Sequence, residues 1–200
     1  MIDGFTIGQS NGYTGISISN ASPIISNNII YRQTGILIHG NSKPIIRNNV
    51  FHTNSSGILV SGEEALDMLV TIQNNTITSN TTTGKGIYLT NANPFTRIYS
   101  LNNIIANNDI GVTDRNTLDT QHQHIFSSFN TYWNDVSGNF GDGIYKKLEA
   151  GDNIEDPMFV DATKDAFHLQ SGSPCINSGN PDKRYNRASA PVIIIFRFFP

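Results

Sequence analysis

The sequence predicts an all-β solenoid, in which short strands stack coil upon coil around one elongated core. Three observations lead to this fold class. A motif that begins with glycine recurs every 20 to 29 residues, apolar residues alternate within each copy, and an asparagine follows each copy at a similar distance. Repeats of this length indicate a solenoid, because one unit cannot bury its apolar face alone and must stack on its neighbours.

The first part of each repeat predicts a strand. Ile16 and Ile18 lie two residues apart in the first coil, and Ile36 and Ile38 do the same in the second. A period of two places such residues on one face of a strand, whereas a helix would need a period near 3.6. The glycines that begin the five repeats are Gly15, Gly35, Gly57, Gly86 and Gly111.

An asparagine recurs in every coil, two residues before an apolar or aromatic residue. Asparagine tolerates the left-handed backbone of a sharp corner, and its amide both donates and accepts hydrogen bonds. At the strand spacing of about 4.8 Å, such side chains can bond to one another along the axis. The sequence therefore predicts a structural asparagine ladder of Asn28, Asn49, Asn75, Asn103 and Asn130.

The composition excludes several classes of protein. A net charge of -3 and a pI near 5.9 argue against nucleic acid as a partner, which normally requires a strongly basic face. No apolar run approaches the ~20 residues of a membrane span. The single cysteine, Cys175, excludes an internal disulfide, and we expect it to be a small buried residue.

The repeats, the opening "IDGFTI" and the segment "DPMFVDATKDAFHLQSGSPCINSGNP" at residues 156 to 181 carry a resemblance to a known family. They resemble right-handed parallel β-helix proteins of the pectate-lyase-like superfamily, and the last segment is similar to the closing part of secreted bacterial members. The resemblance implies a right-handed parallel β-helix of about five to seven coils with an irregular C-terminal closing segment. It also implies an extracellular or cell-surface location.

We expect three regions along the chain: β-helix coils over residues 1–135, a closing segment over 136–181, and an atypical tail over 182–200 that is disordered or out of frame, with a real terminal strand or interface segment as the alternative. The tail turns apolar where related sequences end in polar residues. Residues 1 to 7 offer no cap for the first coil, so we expect the chain to be part of a longer protein whose export signal lies outside it. A monomer is predicted, with association through the open strand edge as the alternative.

The corners of the coils lengthen after Gly57. From the glycine to the asparagine the separation is 13 and 14 residues in the first two coils, but 18, 17 and 19 in the next three. The extra residues include "GEEALDML" at 62 to 69, "NANPFT" at 91 to 96 and "RNTLDTQHQ" at 115 to 123. Because they fall at the same corner of successive coils, we expect them to form a wall beside a groove.

Basic and aromatic residues are the candidates for ligand binding. No Asp or Glu lies between Gly4 and Gly62, so the first three coils cannot supply a carboxylate pair for glycosidic cleavage. The same region is locally basic, which suits an acidic sugar polymer, and tyrosine offers a stacking face. The alternative is that these are scattered solvated side chains. The predicted binding residues are Arg32, His39, Arg47, Tyr88, Asp114 and Arg115.

Asp114 is unusual because it falls in the interior column of Ile18, Ile38, Val60 and Leu89. A buried carboxylate is costly unless it is paired, so we expect a change of register at the end of the array, with a functional role as the alternative.

Metal ligands are sparse. His122 and His124 lie two apart but lack a third ligand in the sequence, so no metal site is predicted. Four aspartates fit ordinary turns better than a calcium loop, and no cofactor is predicted, calcium being the alternative considered. They are Asp152, Asp156, Asp161 and Asp165.

These observations predict an extracellular β-helix module that binds or processes a polysaccharide, with an acidic polymer as the expected ligand. The catalytic residues remain unassigned, since no stretch resembles the signatures of pectate lyases, polygalacturonases or alginate epimerases. The alternative function is a non-catalytic, adhesin-like or structural surface module.

Overall fold

The computed structural model describes residues 1–8, 14–31, 34–62, 67–80, 83–115, 122–141 and 148–182. The strands in these residues are β1 (Ile2–Asp3), β2 (Thr6–Gly8), β3 (Thr14–Ser19), β4 (Ile24–Ser26), β5 (Ile29–Tyr31), β6 (Thr34–His39), β7 (Ile45–Arg47), β8 (Val50–His52), β9 (Ser56–Ser61), β10 (Met68–Gln73), β11 (Thr76–Thr78), β12 (Lys85–Thr90), β13 (Thr96–Leu101), β14 (Ile104–Ala106), β15 (Ile110–Arg115), β16 (Ile125–Ser128), β17 (Thr131–Trp133), β18 (Gly138–Phe140), β19 (Phe159–Asp161) and β20 (Ala166–Leu169). One short 3-10 helix spans Ala162–Lys164.

The first eighteen strands form a three-sided parallel solenoid, which confirms the predicted fold class. Sheet 1 contains β1, β4, β7, β10, β13 and β16, sheet 2 contains β2, β5, β8, β11, β14 and β17, and sheet 3 contains β3, β6, β9, β12, β15 and β18. Consecutive strands visit the three sheets in turn, so the chain makes about five turns. In the part of the chain described, no helix is long and apolar enough to cross a membrane.

The core is a set of apolar columns that run along the axis. Ile16 pairs with Ile36, which pairs with Ile58, and the column continues through Ile87 to Val112. The parallel pairing is in register, so each coil places its isoleucine on that of the next coil. Burying each such side chain contributes about 1.5 to 3 kcal/mol, and the regular repeat accumulates this contribution along the whole solenoid.

The repeated glycine is required because successive coils approach closely. A Cβ on Gly35 would lie 2.3 Å from the carbonyl oxygen of Gly57, and one on Gly57 would lie 2.7 Å from that of Gly86. Neither glycine has a positive φ. Close approach of the backbones, rather than conformational freedom, therefore explains why glycine recurs at this position.

The predicted asparagine ladder is present and buried. The side-chain Nδ2 atoms of Asn28, Asn49, Asn75 and Asn103 each donate to the Oδ1 atom of the next ladder residue, at 3.0 Å in every case. The backbone N–H of each of these residues donates to the same oxygen. All five residues, Asn28, Asn49, Asn75, Asn103 and Asn130, are buried.

The corner and the ladder belong to different residues, so the expectation that one asparagine serves both purposes is wrong. The left-handed residue is the one before the ladder asparagine, with φ near 56° at Asn27, Asn48, Asn74 and Asn102 and with Phe129 in the last coil. Of the two adjacent asparagines in these coils, the first therefore turns the chain and the second bonds to the next coil.

A second buried ladder runs parallel to the first and was not predicted. Asn54 donates its backbone N–H to Asn80 Oδ1 at 3.0 Å, and Asn80 Nδ2 donates to Asn108 Oδ1 at 2.7 Å. The ladder ends at Asp135. Each member lies five positions after a member of the first ladder, a constant offset that the sequence already contains.

The later part of the closing segment, residues 167–180, packs against sheet 2 and the corner before it, whereas Gly138–Phe140 form β18 of sheet 3. Phe167 packs on His52 with ring centroids 5.3 Å apart, and Cys175 Sγ lies 3.4 Å from Thr131 Oγ1. The backbone N–H of Asn180 donates to Asn102 Oδ1 at 2.8 Å. Outward side chains of sheet 2 are consequently buried, among them those of Val50, Thr76 and Thr131. Cys175 itself is only part-buried, and the tail beyond Asp182 lies outside the described residues.

Candidate functional site

The outer face of sheet 3 presents two lines of side chains that run along the solenoid axis. We call Leu37, Leu59 and Tyr88 the apolar track, because they pair with one another on adjacent strands and are half-buried. Two positions further along the same strands lies the polar track. It consists of Ser19, His39, Ser61, Thr90 and Arg115.

Three of the predicted binding residues lie on this face, on strands β6, β12 and β15. His39 and Arg115 belong to the polar track and Tyr88 to the apolar track, because alternation along a strand sends residues two apart to the same side. His39 ends β6 and Arg115 ends β15, each just before the corner that leads to sheet 1.

Arg47 lies on another face. It ends β7 in sheet 1, in the column of Asp3 and Ser26, because the corner after His39 carries the chain onto the next sheet. Hydrogen bonds from Ser26 and Asn27 hold the pKa of the Asp3 carboxyl below its usual value, and the charge of Arg47 adds a smaller effect. The structure therefore does not bring Arg47 together with His39. Arg32 lies outside the described residues.

Asp114 points into the solenoid. It pairs in register with Leu89 and is 1% exposed, so the change of register expected at this position does not occur. The strand continues regularly to Arg115, whose side chain is exposed on the opposite side. Asp114 thus lies beneath the outer face and is not among the side chains that a ligand on that face would touch.

The outer face of sheet 3 is basic. Asp114 is the sole acidic residue in the described strands of this sheet, and it faces inward. Lys85 adds a further positive charge, with its Nζ atom 5.5 Å from the centre of the Tyr88 ring. A cation at this distance is attracted to the negative face of the ring. Basic groups and an aromatic side chain are therefore adjacent on one exposed surface.

The lengthened corners all join sheet 3 to sheet 1, as the sequence predicts. Asn93 connects two of them, since its Nδ2 atom donates to the carbonyl oxygen of Gly62 at 3.1 Å. Part of the added sequence lies in strands and not in the corners. β10 and β13 each have six residues, whereas β7 has three. Residues 63–66 and 116–121 of these corners lie outside the described residues.

His122 and His124, the two candidate metal ligands, differ in burial. His124 is fully buried, with its Nδ1 atom 3.2 Å from the carbonyl oxygen of Thr96, whereas His122 is exposed. Across the described part of the chain, no cluster of three or more His, Cys, Asp or Glu residues could hold a metal ion.

Comparison with known proteins identifies the repeat region. A family model described as a right-handed β-helix region matches residues 2–125 of the chain. No match was found among curated proteins, and none among solved structures.

Proposed function

The chain belongs to the right-handed β-helix family, and from this premise we propose that it is an extracellular module that binds an acidic polysaccharide on the outer face of sheet 3. The observation that carries the proposal is the composition of that face. His39, Lys85 and Arg115 lie beside an apolar track that includes Tyr88, and the described strands present no outward carboxylate there.

The two tracks suit the two chemical sides of a charged sugar. The C–H face of a sugar ring is apolar and packs on leucine and tyrosine side chains. Carboxylate or sulfate groups accept charge-assisted hydrogen bonds from arginine and lysine, which are stronger than neutral ones, and the imidazole of His39 can add a further hydrogen bond. Ser61 and Thr90 can bond to sugar hydroxyls between His39 and Arg115.

The described part of the face lacks the carboxyl pair that hydrolysis of a glycosidic bond uses. Glycosidic hydrolysis uses two carboxyl groups that flank the scissile bond, about 5 to 9.5 Å apart. The described outer face of sheet 3 offers no such pair, since Asp114 is buried beneath it. The proposal is therefore limited to recognition of the polymer.

A non-catalytic structural or adhesin-like surface module is the second candidate. The first buried amide ladder runs parallel to the axis and ties successive coils together. Buried hydrogen-bond networks whose members are satisfied rigidify a structure, as a spacer would require. The two candidates differ in whether the outer face of sheet 3 has affinity for a saccharide.

Calorimetric titration of the full chain with polygalacturonate, alginate and a glycosaminoglycan tests the proposal, with neutral dextran as the reference polymer. We expect measurable affinity for at least one acidic polymer, none for dextran, and weakening at high salt. Arg115→Ala should lower that affinity about tenfold, the loss of one charged hydrogen bond. Arg97→Ala on sheet 1 is the matched control and should leave the affinity for the acidic polymer unchanged. Equal affinity for dextran, or no affinity for any acidic polymer, would contradict the proposal.

A further inference from the structure

Asp135 lies at the end of the second ladder, in the corner between β17 and β18. It is 8% exposed, and its Oδ1 atom accepts hydrogen bonds from both the backbone N–H and the side chain of Asn108. Its Oδ2 atom is buried and has no hydrogen-bond partner among the described residues. Because an ionised oxygen is costly in such a place, a proton on Oδ2 would stabilise the folded state.

The asparagines of the same ladder indicate where such a proton would point. Asn108 Nδ2 donates to the carbonyl oxygen of Ile77 at 3.3 Å, and Asn54 Nδ2 donates in the same way to a carbonyl oxygen one coil back. Ile105 holds the equivalent position for Asp135, since it pairs with Ile77 on the next strand of sheet 2. An O–H at Oδ2 can therefore donate to the carbonyl oxygen of Ile105, as the amide does in the inner coils.

We propose that Asp135 is a proton-operated clasp on the last described coil of sheet 3. With a proton on Oδ2 it bonds to the preceding coil and holds residues 134–140 in place, and once that proton passes to the solvent these residues can open. The ionised oxygen would face the carbonyl oxygen of Ile105, and both atoms are acceptors. Opening relieves this contact because it brings the carboxylate into water.

The coil that Asp135 holds has a neighbour on one side only. β18 pairs with β15 through Gly138 and Phe140, and in the described residues no strand pairs with its other edge. In the corner before β18, Ser137 donates its backbone N–H to the carbonyl oxygen of Asp109 at 2.7 Å. A solenoid is stabilised by contacts between adjacent units, so an end coil opens at a lower free energy than an inner one.

The sign of the pH response follows from the burial of Asp135. Burial raises the pKa of this carboxyl to about 7, although the hydrogen bonds from Asn108 oppose that change. An open coil returns the carboxyl to water, where it ionises near pH 3.8. The closed coil is thus favoured in acid, and this advantage is lost as the pH rises to 7.

Other titratable groups lie on the elements packed against Asp135. Asp109 belongs to the preceding corner, and its Oδ1 atom accepts from Ser137 Oγ at 2.6 Å. β18 contains no charged or titratable side chain. The titratable or charged side chains of β15 and β17 are Asp114, Arg115 and Tyr132.

Hydrogen exchange of the full chain, followed by NMR and corrected for the intrinsic exchange rate at each pH, tests the clasp. The corner amides are those of Val136, Ser137 and Gly141, which donate to the preceding coil. We expect their opening equilibrium constant to rise about tenfold per pH unit between about pH 5 and pH 7 and to level off above 7. The inner amides of Thr76 and Ile104 should open less often at every pH, and only their opening should increase in dilute urea.

Asp135→Asn places an amide N–H where the clasp has its O–H, so it should abolish the pH response of the corner amides. Asp109→Asn is the matched control and should keep the wild-type response. A carboxyl ¹³C titration of the wild-type chain checks the same point without a variant. The Asp135 signal should titrate near pH 7, where the rise in corner opening levels off.

Three results would overturn the inference. The first is an equal opening free energy and urea dependence for corner and inner amides, because the last coil would then open only with the whole molecule. The second is a pH response of the corner amides that persists in Asp135→Asn. The third is a wild-type Asp135 carboxyl that titrates near its ordinary value of 3.8.

Discussion

Asp135 accepts both the backbone N–H and the side-chain Nδ2 of Asn108 at a single carboxylate oxygen, at 2.9 and 3.0 Å. The first ladder ends in the same way, because Asp152 Oδ1 accepts from the N–H of Asn130 at 2.7 Å and from its Nδ2 at 3.2 Å. Oδ1 of each aspartate accepts two hydrogen bonds, whereas an asparagine at either position would bring an Nδ2 group that needs a further acceptor. Aspartate therefore ends each ladder of amides.

Asp135 should make the stability of the protein depend on pH. Its second oxygen, Oδ2, is buried without a hydrogen-bond partner, and burial raises the pKa of this carboxyl to about 7 despite the opposing bonds from Asn108. The folded state thus holds a proton that the unfolded state releases near pH 3.8. This contribution to stability is full below pH 3.8 and is lost as the pH rises to 7.

We expect the free energy of unfolding to fall by about 2 kcal/mol between pH 5 and pH 8, and we expect Asp135→Asn to remove most of this fall. Urea denaturation at the two pH values measures both. Asp109→Asn is the matched control, since Asp109 lies nearby at the surface and bonds to Ser137. An unchanged pH dependence in the Asp135 variant would show that another group is responsible.

Interrupting the first ladder should lower the free energy of unfolding. Asn75 accepts two hydrogen bonds from Asn49 and donates to Asn103, and all three side chains are buried. Asn75→Ala leaves these partners unsatisfied, so we expect a loss of at least about 3 kcal/mol in the free energy of unfolding. Asn74→Gly is the control, because φ at Asn74 is 56° and glycine adopts that conformation freely. Comparable losses for the two variants would contradict the division between corner and ladder.

The glycine column should not accept alanine. A Cβ on Gly57 would lie 2.7 Å from Gly86 O and 2.7 Å from Ile77 Cγ2, so the coils must move apart. We expect Gly57→Ala to lower the free energy of unfolding by about 2 kcal/mol. Gly172→Ala should be tolerated, since its nearest neighbour would be Met158 Cε at 3.8 Å. Thermal denaturation of both variants measures the two losses. A Gly57→Ala protein as stable as the wild type would show that the coils can accommodate a Cβ at this position.

The closing segment should loosen when its aromatic anchor is removed. Phe167 packs on both His52 and Phe159, so Phe167→Ala weakens the contact with sheet 2. We expect trypsin to cleave after the exposed Lys164 about tenfold faster, since proteolysis follows the population of locally open chains. Phe95→Ala is the control, because Phe95 is 60% exposed at a corner between sheets 3 and 1. Equal cleavage rates would mean that other contacts hold the segment.

Much of the fold could be predicted because each coil contacts its neighbours in the same way. The interior isoleucines and the first ladder repeat with the coil, so their positions follow from the sequence. The second ladder was equally accessible, since Asn54, Asn80 and Asn108 keep a constant offset of five from the first. The predicted repeat motif contains one ladder asparagine per coil and therefore does not include this second column.

The candidate site could be predicted only in part. His39 and Arg47 lie eight positions apart in the sequence, yet a corner at Gly40 places them on different sheets. Asp114 interrupts the apolar column in the sequence, but the pairing of Leu89 with Asp114 shows that the strand stays regular despite a polar side chain. Side-chain polarity alone does not reveal which strand positions stay in register.

The sequence by itself determined that parallel strands stack in coils, which side chains fill the interior, and where the first ladder runs. These features depend on contacts between adjacent coils, and a repeating sequence encodes such contacts directly. The tertiary structure alone decided which basic residues share the outer face of sheet 3, that the closing segment covers sheet 2 through Phe167 and His52, and that Asp135 is buried at a ladder end. Those features arise from corners and from a non-repeating segment, where pairing is set by three-dimensional packing and not by a period.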